Sequence, residues 1–112
     1  MDFIDTSQLP VREPRPGFRG RFFHSDHMTF AYYSIAAGSD VHPHRHPNDE
    51  VWHVLEGELE MRLGAEVRVL RAGEAAVVPP DVEHAARAIT DCRAIVADHP
   101  VRHSVGGIDI RG

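Results

Sequence analysis

The chain has 112 residues and a mass of 12.5 kDa, which is enough for one compact domain and leaves no room for a second. Hydrophobic residues at 42% and charged residues at 26% match ordinary globular usage and exclude a disordered chain. Apolar runs of only a few residues, such as Ala75–Val78, exclude a membrane-spanning helix. The formal charge of −5, with the positive residues scattered singly, offers no basic patch, so neither nucleic acid nor a membrane is an expected partner.

All 12 positive residues are arginine. Without lysine there is no Schiff-base chemistry and no P-loop phosphate site. The single cysteine, Cys92, can form no internal disulfide and no thiolate zinc site, and it reads as an inert buried or turn thiol. Met1–Asp5 shows no basic stretch and no apolar segment of secretory type, so a small soluble cytoplasmic domain is expected.

Residues 1–18 read as an N-terminal arm or irregular edge, because Pro10, Pro14, Pro16 and Gly17 forbid a regular helix and a central strand. From residue 19 to 112 the pattern is short strands broken by turns. Met28–Ile35 is rich in aromatic and β-branched residues, and Gly38-Ser39-Asp40 is a turn. Val51–Leu55 is a strand closed by Gly57. Leu59, Met61 and Leu63 alternate with Glu58, Glu60 and Arg62, the cleanest two-residue period in the chain. Gly64-Ala65 is a tight connection into a strand holding Val67 and Val69. Ala75–Val78 follows Gly73 and ends at Pro79-Pro80-Asp81, and Ala85–Ile89 and Arg93–Ala97 supply two further strands. No window shows a 3.6-residue apolar period. An all-β antiparallel sandwich or small barrel is therefore expected.

Nine histidines are the unusual feature of the composition. The informative stretch is His42-Pro43-His44-Arg45-His46-Pro47-Asn48-Asp49-Glu50. Residues two apart on a strand share a face, so His44 can point with His46 or with His42. A turn at Pro47-Asn48 would return Glu50 beside two imidazoles. Two imidazoles and a carboxylate suit a divalent transition metal with open coordination positions. His84, after the Pro79-Pro80-Asp81 turn, is the best candidate for a fourth ligand. The same histidines also read as solvated polar side chains on a surface strand, or as a loose metal-binding tract.

The spacing resembles a known family. Gly38, five residues, His44-Arg45-His46, three residues, Glu50, six residues and Gly57 is similar to the first cupin motif, G(X)5HXH(X)3-4E(X)6G. Gly73, five residues, Pro79 and then His84 is similar to the second, G(X)5PXG(X)2H(X)3N, with Asp81 in place of a turn glycine and Ala88 in place of the terminal asparagine. The resemblance implies a single-domain cupin double-stranded β-helix, a jelly-roll barrel over residues 19–112. It implies one divalent transition metal ion (Zn, Mn, Fe or Ni) held by His44, His46, Glu50 and His84 at the open end of the barrel, and a homodimer. His42 is then a rim residue, Trp52 and Val54 share the inward face with Glu50, and His53 faces away.

Other residues carry smaller expectations. One of Tyr32 and Tyr33 should point inward. His24 and His27 flank a hairpin turn and should be solvated. Asp98 and Arg102 are read as part of a C-terminal surface turn more readily than as groups at the barrel mouth. Arg87 and Arg93 are anion contacts if their strands face inward.

Three functions follow from such a site. The first is a non-redox metalloenzyme doing isomerase, cyclase or lyase-type chemistry on an oxygen-rich small molecule such as a sugar acid or keto compound, with Glu50 or an inward tyrosine moving the proton. Its short barrel is similar to small cupins of uronate metabolism and to polyketide-cyclase cupins. The second is an iron- or manganese-dependent dioxygenase. The third is a non-catalytic cupin that binds a small ligand through the metal.

Overall fold

Inward and outward side chains alternate with a period of two along almost every strand, and that alternation rolls the chain around one core. The computed structural model describes residues 2–111. It has twelve strands and, among the described residues, no α-helix: β1 (Arg12–Arg15), β2 (Phe18–His24), β3 (Thr29–Ile35), β4 (Asp40–His44), β5 (Asp49–Glu56), β6 (Leu59–Leu63), β7 (Glu66–Leu70), β8 (Ala75–Val78), β9 (His84–Ala88), β10 (Cys92–His99), β11 (Ser104–Val105) and β12 (Ile108–Asp109). A short 3-10 turn spans Thr6–Gln8. Among the described residues no helix is long and apolar enough to cross a membrane.

The strands form a six-stranded sheet in the order β1-β2-β3-β10-β5-β8, a four-stranded sheet in the order β4-β9-β6-β7, and the small hairpin β11-β12. All pairings are antiparallel. Val54, Leu59, Val78 and Ala88 are wholly buried between the sheets. Burying each Leu or Val of this kind is worth about 1.5–3 kcal/mol. Pro14 falls in β1, the edge strand, where its missing N–H costs the sheet least. Leu63 pairs with Glu66 across the two-residue Gly64-Ala65 connection.

The topology brings distant segments to one end of the barrel. His44 stands opposite His84 across β4 and β9. Glu50, at the start of β5, stands opposite Val78 on one side and Asp98 on the other. Asp81 takes the left-handed conformation, φ 61°, in the turn that delivers His84, which is how Asp serves at a glycine position. Its amide donates to the His46 carbonyl at 2.8 Å and ties the two motif segments together. Gly57 is required in its turn: at φ +85°, a Cβ would lie 2.2 Å from the Asp91 carbonyl oxygen.

After β10 the chain folds back over the same end. The Arg102 amide donates to Thr29 Oγ1 at 2.8 Å, and Ile110 is buried. His24 corrects the expectation of a solvated ring. Its two nitrogens lie 2.8 Å from Thr29 Oγ1 and 3.0 Å from the Ile110 carbonyl, bracing the C-terminal segment against the β2–β3 turn. His27 is exposed, as expected.

Candidate metal centre

Each of three histidines is oriented by its own backbone. The Nδ1 of His44 lies 2.9 Å from the His42 carbonyl, that of His46 lies 3.2 Å from the Asn48 carbonyl, and that of His84 lies 2.8 Å from the Val82 carbonyl. An Nδ1–H donating to a carbonyl leaves the Nε2 lone pair free and aims it away from the donor side. The three rings converge, with centroids 4.2 Å apart for His44–His84, 4.7 Å for His46–His84 and 5.5 Å for His44–His46. Their ligand nitrogens lie within 4.8 Å of one another. His42 contributes its carbonyl to this arrangement, and its own ring is exposed.

Glu50 is buried beside this cluster. Its Oε2 lies 3.3 Å from His46 Nε2, and its Oε1 lies 3.4 Å from His84 Nε2. Neither nitrogen meets hydrogen-bond geometry, so both are buried and without a partner. Two orphaned imidazole nitrogens beside a carboxylate fit a cation between them, because three neutral imidazoles and a carboxylate are the donor types of a divalent transition-metal site. Trp52 Nε1 donates to Glu50 Oε1 at 2.6 Å and fixes the carboxylate's rotation. Trp52 and Val54 are buried on the same face as Glu50, and His53 faces outward, all as the alternation of β5 requires.

Asp98 and Arg102 are further residues that sequence reasoning placed wrongly. Both line one cavity together with His44, Glu50, Trp52 and Tyr33. Asp98 is buried, and with His46 and Glu50 it forms a second group whose ligand atoms lie within 4.8 Å of one another. Arg102 reaches Glu50 at 3.5 Å and Asp98 at 3.8 Å. Tyr33 is the inward tyrosine, and Tyr32 is only half-buried. Arg87 and Arg93 point outward to Glu60 and Glu56, so neither is an anion contact inside the barrel. Cys92 is buried, and burial pushes its thiol above the usual range.

The two carboxyl groups are driven apart in acidity. Burial and the neighbouring Glu50 push Asp98 well above the ordinary carboxyl range. For Glu50, burial works upward, but contacts with His46, His84, Asp98 and Trp52 outweigh it and hold the carboxyl far below its ordinary range. Burial lowers His44. For His84 burial also works downward, but the Glu50 contact and the Val82 carbonyl leave it above its ordinary value. Burial keeps the Tyr33 hydroxyl un-ionised.

Residues 31–98 match the model of the Cupin domain family, and the chain belongs to that family. The H2HPP isomerase of Bacillus subtilis is 39% identical over 61 residues. The match covers 54% of this chain and 26% of that protein, so this chain spans about a quarter of the length of that curated relative. The structure of KdgF from Halomonas sp. superposes with a TM-score of 0.85 at 26% identity, covering 91% of this chain and 96% of that one. An RmlC-like cupin from Shewanella frigidimarina NCIMB 400 gives the same TM-score at 24% identity, over 91% of this chain and 93% of that one, which supports the fold alone.

Proposed function

We propose that this chain is a metal-dependent enzyme of non-redox isomerase, cyclase or lyase type, acting on a small oxygen-rich molecule such as a sugar acid or keto compound. His44, His46, Glu50 and His84 would hold one divalent transition metal ion. The observation that carries this reading is the pair of buried, partnerless nitrogens, His46 Nε2 and His84 Nε2, facing the Glu50 carboxylate. The likeness to an isomerase supports the reaction type. When bound, the cation supplies Lewis-acid polarisation of a substrate oxygen.

The chain's own residues supply the rest. Trp52 and the two histidines keep Glu50 ionised, which suits a ligand and leaves it no proton to give. The proton-moving role stays with Glu50, whose carboxylate can accept a proton, and Asp98, buried beside it and pushed above the ordinary carboxyl range, is the neighbouring acid that can return one. Arg102, within reach of both carboxyl groups, holds the pair in register and offers a cation to an anionic intermediate. The apolar lining from Phe18, Phe22, Val41 and Val96 excludes bulk water from the proton transfer.

The test is elemental analysis of wild type and of the His44→Ala/His46→Ala double variant. Wild type should carry close to one metal ion per chain and the double variant none. Equal metal content in both would refute the ligand assignment. Oxygen uptake by the Fe(II)-loaded wild type in the presence of a catechol or diketone would replace the non-redox reading with the dioxygenase one.

A further inference from the structure

Arg15 enters the cavity from the edge of the six-stranded sheet. Strand β1 pairs Arg12 with Gly20 but Arg15 with Phe18, a slip of one residue. A bulge of this kind bends an edge strand and re-aims a side chain. The bulge is clamped from outside: a Cβ on Gly106 would lie 2.5 Å from the Pro14 carbonyl oxygen, so the turn between β11 and β12 packs directly on β1. The result is a guanidinium that lines the same cavity as His44, Glu50, Asp98 and Arg102.

The two cavity arginines differ in what they hold. Arg102 has carboxyl partners at 3.5 and 3.8 Å. Arg15 is half-buried, yet among the described residues it has no carboxylate within ion-pair distance and no side-chain hydrogen bond. Burial works against its charge. A half-buried cation without a carboxylate partner has already lost part of its water and is open to an anion that completes it. Arginine's planar fork matches a carboxylate with two parallel hydrogen bonds. The cavity has room for about two water-sized groups, such as the two oxygens of a carboxylate, and is not closed to solvent, so the rest of a ligand can extend beyond it.

We propose that Arg15 is the anion anchor of the cavity and pairs with the carboxylate of a small keto or hydroxy acid, whose remaining oxygens are left for the histidine side. The role presupposes the metal centre proposed above and narrows its substrate class from oxygen-rich molecules in general to acids. Wild type, Arg15→Gln and Arg15→Lys are loaded with Mn(II), checked for metal content, and titrated calorimetrically with pyruvate and with its neutral ester, methyl pyruvate. Wild type should bind pyruvate saturably and the ester at least tenfold more weakly. Arg15→Gln should lose at least tenfold in pyruvate affinity with metal content and ester binding unchanged, and Arg15→Lys should fall between the two. Equal pyruvate affinity in wild type and Arg15→Gln overturns the anchor, as does a wild type that fails to bind pyruvate or takes acid and ester alike. A wild type that takes up no metal sinks the metal centre instead, and the same pyruvate comparison on the metal-free proteins then still decides Arg15. Should Arg15→Gln fold poorly by far-UV dichroism, reduced pyruvate affinity with unchanged ester binding in a well-folded Arg15→Lys supports the anchor, and pyruvate affinity equal to wild type there overturns it.

Discussion

In the histidine wall, each of His44, His46 and His84 is pinned by a carbonyl two residues away. In the arginine wall of the cavity that His44 also lines, Arg15 and Arg102 come from an edge strand and from the segment after β10, and Arg102 is held through a bond to Thr29, 73 residues distant in sequence. The histidine wall is set by local geometry and survives small movements of the barrel. The arginine wall is only as fixed as the bulge in β1 and the C-terminal return that carry it. The comparison separates two jobs: a rigid set of donors for a cation, and a cationic side whose position depends on tertiary contacts.

Acid should break the histidine wall first and completely. The three rings must be neutral to ligate, so protons compete with the metal as pH falls. His84, held above its ordinary value, protonates before His44, held below it, in the metal-free protein. Metal occupancy should fall from near one per chain at about pH 8 to near zero at about pH 4.5. Occupancy unchanged over that range, measured after desalting, would contradict the assignment.

Asp98 sits where the two walls meet and should set a smaller, oppositely signed effect. Its folded-state pKa of about 9 lies above the ordinary 3.8, so between those values the native state binds a proton that the unfolded state lacks. Stability of the metal-free protein therefore falls as pH rises through that window. Asp98→Asn, which resembles the protonated acid, removes this contribution. Glu50 acts in the other sense, but only below its ordinary value of 4.5. In urea titrations Asp98→Asn should gain on wild type as pH rises from about 5 to about 8. A constant difference between the two proteins would mean that Asp98 is ionised in the native state.

The two walls also differ in how far the sequence discloses them. His44, His46, Glu50 and His84 stand at fixed spacings within two short segments; a period of two pairs His44 with His46, and the resemblance to the two cupin motifs supplies the rest of the set. Asp81 was legible too, because its turn needs a residue tolerant of positive φ. Asp98 was missed although a signal existed: Cys92, Ala94, Val96 and Asp98 occupy one inward face of β10, and an acid that continues an apolar row is buried by the same alternation. Tyr33 follows the same rule with Ala31 and Ile35. Arg15, Arg102 and His24 had no such signal. A bulge and a C-terminal return place them, and neither leaves a period in the sequence.

The C-terminal return offers a way to loosen one wall alone. Thr29 Oγ1 meets the Arg102 amide at 2.8 Å and His24 Nδ1 at 2.8 Å. Thr29→Val keeps the shape, removes these contacts together with the 3.4 Å one to the Arg102 carbonyl, and leaves a part-buried amide without an acceptor, at a cost of about 1 kcal/mol. Amide exchange around Arg102 should accelerate while metal content stays at the wild-type level. Loss of metal in Thr29→Val would show that the two walls are mechanically one.

The outward arginines give the smallest effect and the most discriminating control. Arg87 and Arg93 are as positively charged as Arg15, but they face solvent, 3.7 Å from Glu60 and 3.3 Å from Glu56. Exposed pairs of this kind contribute little, so Arg87→Gln and Arg93→Gln should each change stability by less than about 0.5 kcal/mol. They should also leave pyruvate affinity at the wild-type value. If Arg93→Gln weakened pyruvate binding as much as Arg15→Gln does, the acid would be responding to the overall field of a chain with formal charge −5, in which any lost cation counts alike. Unequal effects from three arginines of equal charge would instead assign the difference to where each guanidinium points.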